Sequence, residues 1–159
     1  MNKRKLLESV LEKLRADLAL YHKAADAARA EATDEQSKAE HKYDTRGLEA
    51  SYLARGQSRH AAEIAEAVAY FEKLTVRDFA DADSIDTGAL VELRSGKETS
   101  IYFIGPRAGG TEVVCDEREV LVITPESPLG AQLLGRKAGE QCVLELAGQK
   151  HQFKVARVW

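Results

Sequence analysis

Apolar positions return every three or four residues in the first half of the chain, and every second residue through much of the rest. Leu7, Leu11, Leu14, Leu18, Tyr21, Ala25 and Ala28 step alternately by four and three. That spacing keeps one edge of a helix turned to a partner, and it predicts a first helix from about Lys3 to Ala32. At about 1.5 Å per residue such a helix is roughly 40 Å long. A second stripe runs through Leu53, Gln57, His60, Ile64, Val68 with Ala67, Phe71 and Leu74. It predicts a second helix, clearest from Leu48 to Leu74. Both stripes weaken towards the stretch that separates them. Gln57 and His60 are polar members of the seam, expected to set its register through hydrogen bonds.

The separating stretch, Thr33 to Arg46, reads TDEQSKAEHKYDTR and is almost free of aliphatic side chains. It is expected to form the tip of an antiparallel hairpin. A folded-back chain needs a turn, and this stretch supplies one, so a monomer is favoured over one strand of a dimeric coiled coil. Two caps for the second helix fit the residues: Thr33 or Asp34, or else Asp44 or Thr45 after a longer loop. The ascending side packs His41, Lys42, Tyr43, Asp44, Arg46, Tyr52, Arg55, Arg59 and His60 into a largely basic and aromatic shoulder. Arg55 and Arg59 share a helix face.

Beyond residue 75 the grammar changes. Residues 1–75 hold no proline and only Gly47 and Gly56, whereas 76–159 hold all three prolines and the other glycines. ALVELR, TSIYFIG, TEVVCD, EVLVIT, CVLEL and HQFKVARV read as strands, separated by turns such as SGKE and AGQK. Before CVLEL lies ESPLGAQLLGRKAGEQ. Ser127 is placed to cap a one-turn helix, Pro128 to start it and Gly135 to end it. The fold class is therefore α+β: an α-helical coiled-coil hairpin over 1–75, its tip near 33–46, then a small β-rich domain over 76–159 with one short helix.

Composition narrows the functions. The net charge is -3, and residues 1–75 carry equal numbers of basic and acidic side chains, so binding nucleic acid by bulk electrostatics is not expected. The apolar residues of MNKRKLLESVLEKLRADL are interrupted by charges, unlike a signal peptide, and no run is long enough to span a bilayer. A cytoplasmic protein is expected. Cys115 and Cys142 lack metal-site spacing and read as buried free thiols.

The residues ITPESPLGAQLLGRKAGEQCVLEL resemble the signature of the C-terminal domain of bacterial Gre-type transcript cleavage factors. Ser127, Pro128, Leu134, Gly135, Arg136, Gly139 and Glu140 stand in its places, and a helical hairpin followed by this domain extends the resemblance to the whole chain. The resemblance implies an FKBP-like antiparallel sheet. It implies a bacterial RNA polymerase partner, with Ser127, Pro128, Leu129 and Gly130 as polymerase-binding residues. It implies that the hairpin enters the secondary channel and brings its tip to the nascent RNA 3′ end. The chain would then be no enzyme and hold no cofactor of its own. It would act through Mg2+ of the polymerase active site, with Asp34 and Glu35 as catalytic residues and Asp34 a metal ligand only within that complex. Hard cations take carboxylate oxygens, and two-metal cleavage needs few of them from the factor. The family tip has an Asp and a Glu three residues apart; here Asp34 takes the first place and Ser37 the second. That departure opens the alternative of a non-cleaving homologue acting at the same channel.

An FKBP-like fold also raises prolyl isomerisation. The domain's aromatics are Phe79, Tyr102, Phe103, Phe153 and Trp159, mostly at strand positions expected in a core rather than in a pocket.

Overall fold

The computed structural model describes residues 1–34, 45–80, 82–146 and 149–159. Its first helix, α1, spans Lys3–Thr33. Asn2 caps it: the side-chain Oδ1 accepts from the backbone N–H of Arg4 at 3.0 Å and of Lys5 at 3.2 Å. The second helix, α2, spans Arg46–Lys73. Of the two expected starts, the later is realised, directly after Thr45. The Thr45 carbonyl accepts from Glu49 N–H, and its hydroxyl lies 2.7 Å from the Glu49 carboxylate. Glu49 in the first turn and Lys73 in the last both suit the helix dipole. Thr33 and Asp34 instead close α1, where the Thr33 hydroxyl donates back to the Arg29 and Ala30 carbonyls.

The chain forms two compact units. Residues 12–68 make the helical one. Tyr21 stacks near His60 with ring centroids 5.4 Å apart, Arg29 donates to Ser58 Oγ at 2.8 Å, and Glu31 pairs with Arg46 at 3.1 Å. Partners fall in number on α2 as they rise on α1, so the pair is antiparallel, as expected. Its seam differs from the expected one on α2. Ala67 is buried as expected, but so are Ala50, Ala54 and Ala61, while Leu53 is 53% exposed and His60 lies at the surface. On α1 the seam is Leu14, Ala25 and Ala28. Small side chains let two backbones approach, and a leucine stripe beside an alanine stripe is then pushed off the contact.

Residues 1–11 and 69–159 make the other unit. Six strands follow: β1 (Leu90–Ser95), β2 (Glu98–Ile104), β3 (Glu112–Cys115), β4 (Arg118–Ile123), β5 (Gln141–Leu146) and β6 (Gln149–Val158), with α3 (Pro128–Leu133) between β4 and β5. All six expected strands and the short helix are present. The sheet order is β3-β4-β2-β1-β6-β5. The expectation of an antiparallel sheet needs one correction, because β2 and β4 pair parallel through Tyr102–Leu121, Phe103–Val122 and Ile104–Ile123. After β2 the chain passes to the sheet edge, returns as β3 and turns again into β4, which slots between them. Two reversals leave β4 running with β2.

Strand alternation divides the side chains between two faces. One face contributes Val91, Leu93, Ile104 and Ile123 to a core closed by Phe79, Ile85 and Leu133 of α3. The other carries Phe103, whose ring lies 6.4 Å from that of Phe71 at the end of α2. Gly105 sits where a Cβ would meet Val122 at 2.7 Å and Phe71 at 2.9 Å. Leu6 and Val10 at the start of α1 are fully buried, although the seam spacing favours Leu7 and Leu11. Those first turns belong to the sheet unit and not to the helical seam, which moves the buried edge.

Cys115 and Cys142 are buried free thiols, as expected, and burial pushes both thiols up from their ordinary range. Four of the domain's five aromatics are core groups: Phe79 and Phe103 are buried, and Tyr102 and Phe153 pack against the core.

Candidate functional site

Asp34 follows the last residue of α1, with its N–H 3.4 Å from the Glu31 carbonyl and its side chain exposed. A carboxylate at a helix C-terminus meets the negative end of the dipole, so helix stability does not account for it. Glu35 and Ser37 lie outside the described residues, so Asp34 is the member of the expected acidic pair whose position is known. Among the described residues no group of three or more His, Cys, Asp or Glu side chains could hold a metal ion. Within the described chain, Asp34 alone is too few ligands for a hard cation, which takes six or more oxygens in all.

Of the expected shoulder, His41, Lys42, Tyr43 and Asp44 lie outside the described residues, and its described arginines are partly neutralised. Arg46 pairs with Glu31, and Arg59 with Glu63 at 3.0 Å. His60 approaches the same Glu63 at 3.6 Å. Leu48, Tyr52, Arg55 and Arg59 step by four, three and four, so they share the outer face of α2, with Tyr52 66% exposed. Tyr52, Arg55 and Arg59 were legible in the sequence as shoulder residues. Leu48 was not, because in the sequence it marks only the start of the second helix. The signal that separates it is the run of alanines at 50, 54 and 61, which mark the true buried edge.

The loop around Ser127 is built from its own backbone. Ser127 Oγ accepts from Gly130 N–H at 3.0 Å and donates to the Thr124 carbonyl at 2.7 Å. Pro128 opens α3, and Leu129 is half-buried against the sheet core. Gly130 is buried, and a Cβ there would stand 1.9 Å from the Thr124 carbonyl oxygen. Gly135 follows α3 with φ 78°, a left-handed turn suited to glycine. Each of these residues thus has an architectural role, and Pro128 is the exposed one of the four from Ser127 to Gly130. The structure groups Ser127, Pro128, Leu129 and Gly130 in one loop and helix start. Asp34 belongs to the other unit.

Two buried charges escaped the sequence reading. Lys3 is 6% exposed and donates to the carbonyls of Arg77 at 2.5 Å and Gly88 at 3.1 Å, with Nζ over the Phe79 ring. Its burial lowers the ammonium from 10.5 to about 8; Asp78 opposes that shift and Arg77 adds to it. Glu92 on β1 is buried and accepts from Arg94 at 3.3 Å and Arg118 at 3.1 Å. Long-range contacts bury them, and no local pattern announces that.

Among known proteins, a family model described as transcription elongation factor, GreA/GreB, C-term matches residues 80–159, just over half of the chain. No curated protein matches it. The crystal structure of the GreA factor homolog 1 protein of Thermus thermophilus is similar at 21% identity, covering 94% of each chain, with a TM-score of 0.38. That of the Thermus aquaticus homologue is similar at 20% identity, covering 95% of this chain and 94% of that one, with a TM-score of 0.41. The prokaryotic transcription elongation factor GreA/GreB from Nitrosomonas europaea is similar at 17% identity, covering 70% of this chain and 91% of that one, with a TM-score of 0.38.

Proposed function

The chain belongs to the GreA/GreB family of transcription elongation factors, and from that premise we propose that it binds RNA polymerase and modulates elongation through the tip of its hairpin. The observation that carries this reading is the family match over 80–159 joined to an antiparallel pair of long helices. In this reading the hairpin enters the secondary channel, and the sheet domain docks at its rim through the loop of Ser127 to Gly130. The factor is not itself an enzyme. It lends acids to the polymerase's own Mg2+ site and so stimulates cleavage of backtracked RNA. Asp34 supports this, being an exposed carboxylate at the end of a 31-residue helix. Glu35 is its proposed companion.

Ser37 favours a second reading. It stands where the family's second acid is expected, and two carboxylates grip a hard cation better than one. On this reading the same protein occupies the channel without promoting cleavage. One experiment separates the two. Stalled elongation complexes are incubated with the protein or with Asp34→Ala, and short 3′ RNA fragments are counted. Release that disappears in the variant supports the cleaving factor. Binding to polymerase without release supports the non-cleaving one. Absence of binding to polymerase overturns both.

A further inference from the structure

Cys115 and Arg118 still pair across the β3–β4 ladder, so two residues make the turn between them. Both have left-handed backbone, Asp116 at φ 50° and Glu117 at φ 62°. A two-residue hairpin turn of that kind suits Asn or Asp at its first place and glycine at its second. Asp116 fits, and Glu117 does not. The turn therefore holds strain that its own sequence does nothing to relieve.

The Asp116 carboxylate serves another element. One oxygen accepts from the backbone N–H of Asn2 at 3.2 Å, and the other from Lys5 Nζ at 3.3 Å. Asn2 stands just before α1, so this negative charge meets the positive end of a 31-residue helix dipole. The Asn2 N–H first, and Lys5 after it, hold the Asp116 carboxyl below the usual carboxylate range. At the same contact lies Cys115, 1% exposed, with its Sγ 3.9 Å from the Asn2 carbonyl. The two sides of the contact are unequally anchored. On the α1 side, Lys3 is tied to the Arg77 and Gly88 carbonyls, and Leu6 is fully buried. On the other, β3 is a four-residue edge strand paired to β4 alone. The end of the β3–β4 hairpin is thus the part free to move.

We propose that the β3–β4 turn is a strained latch on the start of α1, closed by Asp116 and covering the Cys115 thiol. The backbone of Glu117 favours release, and the bonds of Asp116 favour closure. Opening swings the turn off Asn2 and uncovers Sγ while the rest of the sheet stays paired. The latch lies wholly within the unit of residues 1–11 and 69–159, and it does not depend on the polymerase reading.

The test follows alkylation of the full chain by iodoacetamide, with the two cysteines resolved by mass spectrometry of their peptides. Glu117→Gly relieves the turn and keeps the carboxylate, and should slow Cys115 labelling about fivefold. Asp116→Asn suits the turn equally well but removes the charge, and should speed labelling about threefold; Asp116→Gly should speed it about tenfold. Lys5→Met separates opening from thiol acidity. Lys5 lowers the Cys115 thiol, so losing it would slow labelling of a thiol that was always accessible, whereas an opened latch speeds labelling about twofold. Cys142, in the sheet core, should keep its rate throughout. Labelling of Cys115 that is unchanged or slower in Asp116→Asn or Lys5→Met overturns the proposal, as does Glu117→Gly without slowing. Acceleration of Cys142 in step with Cys115 would make the opening global, and would equally overturn it.

Discussion

Gly130 shows how a single atom constrains this chain. A methyl group there has no room, because it would sit 1.9 Å from a backbone oxygen held by the Ser127 turn. Gly130→Ala is expected to cost about 3 kcal/mol, measured by urea denaturation, because backbone cannot move aside as a flexible side chain can. Lys3 makes the opposite kind of demand. Its ammonium is lowered to about 8 when folded against 10.5 ordinarily, so the unfolded chain holds the extra proton between those values. Folding stability therefore rises with pH across that window and falls as pH drops through about 8. The full difference is on the order of 3 kcal/mol. The two thiols act in the other direction: their raised values give stability that is present below the ordinary value of 9.0 and lost as pH rises. Lys3→Met isolates the lysine. The rise with pH should be absent from the variant and should appear in the difference between wild type and variant, where the thiol contributions cancel, in denaturation curves taken from neutral to alkaline pH.

At the scale of elements, the helical pair depends on its alanines. Ala54 is buried at the seam and Leu53, one residue earlier, is exposed. Ala54→Leu should destabilise the hairpin by about 1–3 kcal/mol through overpacking. Leu53→Ala should stay within about 0.5 kcal/mol, as surface changes do. Helical circular dichroism melts of the two variants test the seam directly; a larger loss at Leu53 would return it to the expected stripe. The period of the pattern located both helices within two or three residues, because periodicity is a local property of the chain. Which edge of α2 is buried depends on how closely the helices approach, and side-chain size at the contact decides that. Hydrophobicity favoured the leucine edge and close packing selected the alanine edge.

For the whole molecule, the secondary-structure change at residue 75 and the packing divide the chain differently. Residues 1–11 and the end of α2 are grouped with the sheet. Phe71 shows the consequence, being fully buried with its ring near Phe103 and Gly105 shaped to receive it. Phe71→Ala is expected to cost about 3–5 kcal/mol. A fragment of residues 76–159 should bind a hydrophobic dye and melt without a sharp transition, because one sheet face is left uncovered. Cooperative unfolding of that fragment would show that the roots of the helices are dispensable.

The sequence by itself determined the α+β class, both helices, all six strands, the capped turn at Ser127 and Asp34 near the end of the first helix. Each rests on spacing or on the conformational preference of a few neighbouring residues. Tertiary structure alone decided the parallel rungs of β2 and β4, the alanine seam and the burial of Lys3 and Glu92. These are pairings between residues far apart in the chain, and their energies depend on approach distance and shape. A local pattern contains neither.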